Sequence, residues 1–444
     1  MLIPEPFFQI IALVLEAPLV SETWEIILRF IPFVLFLEMP VYLLILMGVL
    51  RYGLLRMNEV PWRSSYYPSV SCLITCYSEG EAVQQTIRSL SRQLYPGRIQ
   101  IVPIIDGAAA NKETYSAALS MKDEVDRLPN RVLKVVPKWQ RGGRVSALNT
   151  GMNFADGEII MALDGDTSFD NDMVERATRH FENPTVGCVA GCLRVRNVRA
   201  SLVTRLQAIE YFFSIQAAKT GLSAFGLVNN ISGAFGVFRR SVLELIGGWD
   251  AGTAEDLDIT LRVKNYLGRY HCFRIVFDPE AMGFTHVPDT FRDFFKQRLR
   301  WDGDLSFMYF RKHWRTFSPR LVGWKNFIAL LWTGLLFQVV MPVVVVIYTA
   351  YLFIAYPLGV VAGTMALVYL FYLAAMVILF LVFVLLLSER PRQDLLLVFW
   401  LPLVPIFAFA NRIHGAFSAL WEIFGLGHQD TNMAPWWVTK KSKF

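Results

Sequence analysis

The sequence contains few charged residues and few cysteines for its length. Only 18% of its 444 residues are Asp, Glu, Lys or Arg, whereas 54% are hydrophobic. This proportion is too apolar for a soluble protein of this size and too charged for a bundle of membrane helices alone. The composition therefore predicts a soluble domain joined to membrane segments.

The cysteines lack the pattern of a metal site. No histidine lies at ligand spacing from the two Cys-x3-Cys pairs, which fall in apolar, strand-like segments. We therefore expect reduced core cysteines in the cytosol, with no metal bound to them. The five residues are Cys72, Cys76, Cys188, Cys192 and Cys272.

The net charge of +6 does not predict nucleic-acid binding. Nucleic acid requires a basic surface on a folded domain. Here the basic residues lie beside apolar runs, which favours the cytoplasmic face of a membrane. They include Arg51, Arg56, Arg63, Lys312, Arg315, Arg320, Lys440, Lys441 and Lys443.

Two long apolar runs in the C-terminal half predict a transmembrane hairpin over residues 327–387. Phe327–Ala355 and Val360–Leu387 each exceed the ~20 residues that a spanning helix needs. The short Tyr356–Gly359 segment connects them. The two arginines in Ser388–Asp394 favour the cytoplasm for the far end of the hairpin.

The N-terminal membrane region (residues 1–60) is expected to contain one span at about residues 31–50. The arginines that follow this span favour a cytoplasmic C-terminal side. Phe7–Val20 is short and is expected to lie at the interface. The region has neither a basic start nor a small-residue cleavage site, so we do not interpret it as a signal peptide.

Two polar features in apolar text leave alternatives open. Glu38, the only charge in the first span, either faces a hydrophilic cargo in a pore or makes a buried polar contact within the helix bundle. Residues 395–425 are interrupted by Pro402 and Pro405 and then carry scattered polar side chains. This pattern favours an interfacial or re-entrant segment over a clean span.

Strands alternate with helices between about Pro68 and Asp166, which predicts an α/β domain with a parallel sheet and helices on both faces. Ligands bind such sheets beyond the carboxyl ends of the strands. The polar residues at these predicted ends are Tyr77, Ser78, Glu79, Asp106, Asp164 and Asp166.

The sequence Asp164-Gly165-Asp166 suits a divalent cation beside a ribose. Glycine permits a close backbone approach. Mg²⁺ and Mn²⁺ prefer oxygen ligands and keep part of their coordination shell for phosphates. The alternative is an ordinary acidic turn, but the neighbouring strand end at Asp106 favours a site.

Two amphipathic helices follow. Glu255 and Asp256 open the first, where carboxylates also occur as ordinary N-terminal helix charges. The second, from Phe291, either lies on the membrane face or offers Gln297 and Arg300 to phosphate oxygens. The flat ring of Trp301 suits a sugar.

These motifs, in this order, resemble the membrane-embedded, processive family-two glycosyltransferases, which are the synthases of cellulose, chitin, hyaluronan and poly-N-acetylglucosamine. The resemblance covers roughly Pro68–Leu387 and depends on the ordered set rather than on any single motif. In the segment Gly142–Gly151, Arg144 stands where the family usually carries a lysine. The matching elements are Asp106 in "IIDG", "GGRVSALNTG" (142–151), "DGD" (164–166), "ED" (255–256) and "QRLRW" (297–301).

The resemblance implies a cytosolic GT-A-type (Rossmann-like) nucleotide-sugar domain over residues 64–288, with interfacial amphipathic helices over 289–322. Asp256 would be the general base, with Glu255 as its companion. Asp166 would ligate Mg²⁺ or Mn²⁺. The nucleotide sugar would be bound by Tyr77, Glu79, Asp106, Arg144, Asp164, Gln297, Arg298 and Arg300. The acceptor would lie against Gly233, Ala234, Phe235 and Trp301.

The tail, residues 428–444, resembles a gating loop of the cellulose-type members. In "WWVTKK" (436–441), Thr439 and Lys441 would close over the diphosphate. The alternative is a membrane tail anchored by tryptophan with lysines that snorkel to the interface.

The resemblance implies a hexosyltransferase that polymerises a UDP-sugar, UDP-N-acetylglucosamine ahead of UDP-glucose, by single inverting displacement and extrudes the polysaccharide. It implies a multi-pass protein of the plasma (inner) membrane, with its catalytic domain and C-terminus cytoplasmic. A homodimer or a small accessory membrane subunit is expected. The alternatives are a non-processive lipid-linked glycosyltransferase and an inactive nucleotide-sugar sensor, which product length and UDP release would distinguish.

Overall fold

The computed structural model describes residues 34–57, 65–250, 254–270 and 273–425. The predicted interfacial piece Phe7–Val20, Cys272 and the gating segment with Thr439 and Lys441 lie outside these residues.

The soluble domain is built on one nine-stranded sheet, with the order β3-β2-β1-β5-β8-β7-β9-β6 and with β4 also paired to β2. The strands are β1 Val70–Cys76, β2 Ile99–Asp106, β3 Arg131–Leu133, β4 Val136–Lys138, β5 Ile159–Asp164, β6 Ser168–Phe169, β7 Val186–Val195, β8 Phe235–Arg239 and β9 Arg274–Thr285.

The first half of the sheet confirms the parallel arrangement that the sequence predicts. β1 pairs in parallel with both β2 and β5. Every residue of β2 is buried, as expected for a strand covered by helices on both faces. Beyond β5 the sheet is mixed, because β8 runs antiparallel to β5 and to β7.

Helices cover the sheet and continue into the apolar part of the chain. They are α1 Met39–Met57, α2 Ala82–Ser91, α3 Lys112–Ser120, α4 Lys122–Asp126, α5 Gly143–Phe154, α6 Met173–Arg179, α7 Leu202–Tyr211, α8 Ala218–Ser223, α9 Arg240–Ile246, α10 Glu255–Tyr270, α11 Phe291–Phe307, α12 Pro319–Val322, α13 Trp324–Leu330, α14 Met341–Ala355, α15 Leu358–Leu387, α16 Pro391–Asp394 and α17 Val404–Gly425.

Several helices are extended by wider or tighter turns. The wider, π-type turns are Val34–Glu38, Phe212–Ala217, Met308–Lys312 and Leu331–Val340, and the tighter, 3₁₀-type turns are His180–Glu182 and Leu395–Leu403.

Four helical stretches in the described part of the chain are long and apolar enough to cross a membrane. They are Val34–Met57, Trp324–Ala355, Leu358–Leu387 and Pro391–Phe424. The first three correspond to the predicted N-terminal span and hairpin.

The prolines of the last stretch do not end it. Pro402 lies inside the tighter-wound turn Leu395–Leu403, and Pro405 lies in the first turn of α17. Proline is tolerated in the first turn of a helix because the missing N–H has no partner there. The helix therefore changes its winding at these residues and continues.

Two charged residues of this last stretch, Arg412 and Glu422, contact protein. Arg412 forms an ion pair with Glu38, whose carboxylate also accepts a hydrogen bond from Tyr372. Glu38 is only 1% exposed. These contacts correspond to the buried-contact alternative for Glu38. Glu422 lies 3.5 Å from Arg311, in the turn after α11.

All four described cysteines are buried and unpaired, as the sequence predicts.

Candidate active site

The parallel strands bring the predicted site residues to one edge of the sheet. β1, β2 and β5 end at the same level, with Thr75 opposite Asp164 and Cys76 opposite Ile105. Asp106 is the last residue of β2 and Asp164 the last of β5.

Asp106 is held by the start of α5. Its carboxylate accepts hydrogen bonds from Lys138 Nζ at 2.8 Å and from the backbone N–H groups of Gly142 and Gly143 at 2.9 Å. The glycines at the start of "GGRVSALNTG" thus serve as backbone donors to this carboxylate.

Arg144 connects Asp164, at the end of β5, to Glu255, at the start of α10. Its guanidinium pairs with Asp164, lies 2.5 Å from Glu255 Oε1, and donates to Thr75 Oγ1 at 2.7 Å and to the carbonyl of Gly233 at 2.5 Å. Burial alone would lower the pKa of Arg144, but the Asp164 and Glu255 carboxylates outweigh it and raise that pKa. Arg144 therefore stays charged between two acidic groups.

Asp256 lies at the N-terminus of α10, beside Gly233, which belongs to the predicted acceptor-binding segment Gly233–Phe235. Its carboxylate accepts hydrogen bonds from Asn230 Nδ2 at 3.1 Å and from the Gly233 N–H at 3.2 Å. A Cβ atom at Gly233 would lie 2.9 Å from Glu255 Oε1, so only glycine fits here without displacement. Burial raises the pKa of Glu255, against the lowering effect of Arg144.

Glu79 and Asp166 form an acidic pair whose charge is only partly matched. Burial raises the pKa of Glu79 to about 7, and Asp166 and Asp164 add to this rise. Burial and Asp164 also raise the pKa of Asp166, although Arg196 opposes the effect. Glu79 Oε2 is buried and has no hydrogen-bond partner in the part of the chain that the structure describes.

This acidic pair fits a divalent cation. No cluster of three or more His, Cys, Asp or Glu side chains that could hold a metal occurs among the described residues. A Mg²⁺ or Mn²⁺ ion at such a site needs only one or two carboxylates, since substrate phosphates and water complete its shell. Asp166 is the carboxylate that the sequence predicts for this role.

Helix α11 carries the "QRLRW" residues. Arg298 donates to Glu210 Oε2 at 2.8 Å, and its guanidinium lies 4.6 Å from the centre of the Trp301 ring, which is 36% exposed. Gln297 Oε1 and Arg300 Nε are buried without a hydrogen-bond partner among the described residues. Arg298 and Arg300 are the two α11 arginines predicted to bind the nucleotide sugar, and Arg298 is thus paired with Glu210.

Helix α7 contributes residues that the sequence reasoning missed. Burial raises the pKa of Tyr211 to about 12, and Arg298, Glu210, Asp166 and Asp164 all act on it. Tyr211 therefore lies within electrostatic reach of both "DGD" and "QRLRW". A signal was available, because Glu210 is the only charged residue in the apolar text "LQAIEYFF".

Phe235 is the first residue of β8, and Ala234 directly precedes it. Phe235 is fully buried and packs edge-to-face on Phe169, with ring centres 5.3 Å apart. Phe235 is therefore part of the core, whereas the Gly233 N–H donates to Asp256. Tyr77, by contrast, is exposed and stacks against Arg141 at 3.7 Å.

The site and fold are those of a glycosyltransferase. The family model described as "Glycosyltransferase like family 2" matches residues 68–303, more than half of the chain. This chain belongs to that family.

Two curated relatives are poly-beta-1,6-N-acetyl-D-glucosamine synthases. The one from Staphylococcus epidermidis is 33% identical over 252 residues, which cover 56% of this chain and 58% of the relative. The one from Staphylococcus aureus is 32% identical over 233 residues, which cover 52% and 53%. The chain thus spans little more than half the length of these relatives.

A solved structure shares the fold. It is a mannosyltransferase from Pyrobaculum calidifontis in complex with GDP-Man and Mn²⁺, with a TM-score of 0.52 and 20% identity. The match covers 86% of this chain and 96% of that one. It confirms the predicted GT-A-type architecture.

Proposed function

We propose that this protein is a processive, inverting hexosyltransferase that polymerises a UDP-sugar into a β-linked polysaccharide. The observation that carries the proposal is the bridge made by Arg144. One guanidinium joins the donor carboxylate Asp164 to Glu255, the neighbour of the general base Asp256. Donor activation and acceptor deprotonation would thus share one site.

In the proposed reaction, Asp256 takes the proton from an acceptor hydroxyl. The freed oxygen attacks the anomeric carbon while the bond from that carbon to UDP breaks, so the configuration inverts. The buried Nε–H donor of Arg300, which lacks a hydrogen-bond partner among the described residues, suits the charge that develops on the leaving diphosphate. A divalent cation held by Asp166 would supply further positive charge to that diphosphate.

We propose UDP-N-acetylglucosamine as the donor, ahead of UDP-glucose. The names of the staphylococcal relatives support this choice. Trp301, beside the paired Arg298 and Glu210, would be the platform for the acceptor sugar.

We further propose a multi-pass membrane protein whose catalytic domain lies on the cytoplasmic side. Contacts between the helix ends and the domain support this arrangement. Arg56, at the end of α1, lies 2.6 Å from Glu280 in β9. At the end of α15, the Leu387 carbonyl accepts a hydrogen bond from Gln216 at 3.0 Å.

Residues 395–425 are proposed to remain at the interface or to re-enter. Both ends of the stretch contact the catalytic side, which supports this topology. Asp394 pairs with Arg194 of β7. Glu422 pairs with Arg311, whose neighbour Lys312 contacts α10.

The growing polymer is proposed to leave along the membrane helices, because α11 leads directly from Trp301 towards α13 and α14. The tail with Thr439 and Lys441 remains the proposed gate, and a homodimer or accessory subunit remains a proposal. Vesicles that retain the polymer only on the substrate side would contradict extrusion. Full activity after deletion of residues 436–444 would contradict the gate.

A panel of UDP-sugars with purified protein and Mn²⁺ or Mg²⁺ tests the function. UDP release and product mass should be measured together. We expect UDP release with UDP-N-acetylglucosamine and long products. A single added sugar would indicate the non-processive lipid-linked alternative, and no release with any donor would indicate a sensor.

A further inference from the structure

The carboxylate of Asp258, two residues beyond Asp256, is fully buried and connects α10 to the turn that follows α11. Asp258 Oδ1 lies 2.9 Å from both Lys312 Nζ and His313 Nε2. Asp258 Oδ2 accepts a hydrogen bond from Arg262 at 2.8 Å. We call these four residues the α10–α11 clamp.

The partners of Asp258 in the clamp stabilise its charged form. Burial would raise the pKa of this carboxyl, but the hydrogen bonds from His313 and Lys312 outweigh burial and lower the pKa to about 2. Arg262 also donates to the carbonyls of Ile246 and Gly248, which fixes it from the other side. A satisfied buried network of this kind favours one arrangement of its members.

Apolar packing around the clamp brings the elements together without setting their register. The buried side chains there are Ala254, Leu257, Leu261, Met308, Tyr309 and Leu330. Such contacts are non-directional and roughly proportional to area, whereas hydrogen bonds to a carboxylate restrict distance and angle.

The two helices that the clamp joins carry the proposed general base and the proposed platform for the acceptor sugar. Asp256 lies in the first turn of α10, and Trp301 lies in α11, 11 residues before Lys312. At about 1.5 Å per residue, Trp301 is about 16 Å from the clamp. A tilt of α11 by about 4° would displace Trp301 by about 1 Å, which can reduce catalysis by about 100-fold.

We propose that Asp258 is a positioning residue for glycosyl transfer, and that it fixes the distance between the general base on α10 and the acceptor platform on α11. This inference rests on the proposed function. Asp258 would contact neither substrate, and its loss would misplace the acceptor sugar relative to Asp256 while leaving the donor site intact.

Asp278 in β9 provides a matched control. It is also buried, at 1% exposure, and pairs with His180 at 2.7 Å and with Arg179 at 3.2 Å. These partners likewise lower the pKa of its carboxyl to about 2, against the effect of burial. The Asp278 cluster therefore repeats the chemistry of the clamp, but its hydrogen-bond partners among the described residues lie in α6, in the turn His180–Glu182 and in β9.

The test compares Asp258→Asn with Asp278→Asn in the full-length protein in detergent. UDP release and sugar incorporation should be measured over a range of UDP-N-acetylglucosamine concentrations. For Asp258→Asn we expect at least a tenfold loss of incorporation, a KM for the donor within twofold of wild type, and more UDP released per sugar incorporated. For Asp278→Asn the ratio of UDP to incorporated sugar should match wild type. Equal ratios in both variants would overturn the inference.

Two variants on the opposite side of the clamp keep the test decisive if Asp258→Asn does not fold. His313→Gln retains a donor towards Asp258 and should preserve the ratio of UDP to sugar. His313→Ala should raise it. A ratio that is unchanged in His313→Ala would contradict the positioning role.

Hydrogen exchange separates this inference from the proposed function. If wild type releases no UDP, the function fails, but exchange still tests the clamp. Faster exchange in residues 308–318 of Asp258→Asn, and not of Asp278→Asn, is expected. Equal exchange there in both variants would refute the clamp.

Discussion

At the β9 end of the sheet, the carboxylates of Asp278 and Glu280 are matched by surrounding cations, whereas those beside β1 and β5 outnumber their cations. Burial alone would raise the pKa of Asp278, but its partners outweigh this effect and lower that pKa. The cations at this end are Arg56, Arg176 and Arg179, and His180 pairs with Asp278 as well.

At the β1–β5 edge the balance is reversed. The pKa values of Glu79, Asp166 and Glu255 are all raised, mainly by burial. Arg144 is the main cation that bridges this group. The comparison indicates that the first end stabilises the fold, while the second holds unmatched negative charge, as the proposed divalent cation would require.

The strongest test of this division is Asp256→Asn. General-base catalysis typically contributes about 10²–10⁴-fold, so we expect at least a 100-fold loss of UDP release. Asp278→Asn, made at the matched end, should retain most of its activity per folded molecule. Similar losses in the two variants would remove the distinction between the ends.

Gly233→Ala should reduce UDP release by about tenfold or more. The new methyl group would press on the Glu255 carboxylate and disturb the bridge to Arg144, and displacements of about 1 Å can cost about 100-fold. Gly359→Ala is the control, because nothing lies within 4 Å of a Cβ atom there. An active Gly233→Ala enzyme would contradict the close approach.

Trp301→Ala should raise the KM for an oligosaccharide acceptor by about three- to tenfold and shorten the polymer, since aromatic packing is worth about 0.5–1.5 kcal/mol beyond burial. Trp314 is the matched control, because Arg315 lies over its ring at 5.2 Å just as Arg298 lies over Trp301. Product mass, measured by gel filtration, should change only in the first variant.

The smallest effect is expected in acid. The pKa of Asp278 is lowered from 3.8 to about 2, so its charged form stabilises the fold above about pH 4 and loses this effect as the pH falls towards 2. This amounts to stability on the order of 2 kcal/mol. Asp278→Asn should therefore lower the melting temperature at pH 7 and converge with wild type near pH 2. A constant difference across this range would contradict the assignment.

Local patterns were enough to predict the parallel half of the sheet. The apolar runs of β2 and β5 end in Asp106 and Asp164, and Glu255 begins α10 as the sequence predicts. These features depend on neighbours within a few positions.

Contacts between distant segments could not be predicted in this way. Arg144 meets Gly233 across 89 residues, and the sequence predicted only a nucleotide contact for it. Arg298 was likewise predicted to hold the diphosphate, but it pairs with Glu210, 88 residues away. The antiparallel insertion of β8 depends on pairing with both β5 and β7, and its five residues carry no distinguishing pattern.

The contact of Glu38 with the last helices has a consequence for biosynthesis. Tyr372 follows Glu38 by 334 residues, and Arg412 comes later still. At about 5–20 residues per second, a ribosome needs about 15–70 s to make this length. During that time the Glu38 carboxylate lacks both of these partners. A polypeptide released early would retain the Glu38 carboxyl without these partners, so the ion pair forms only in chains that extend past Arg412.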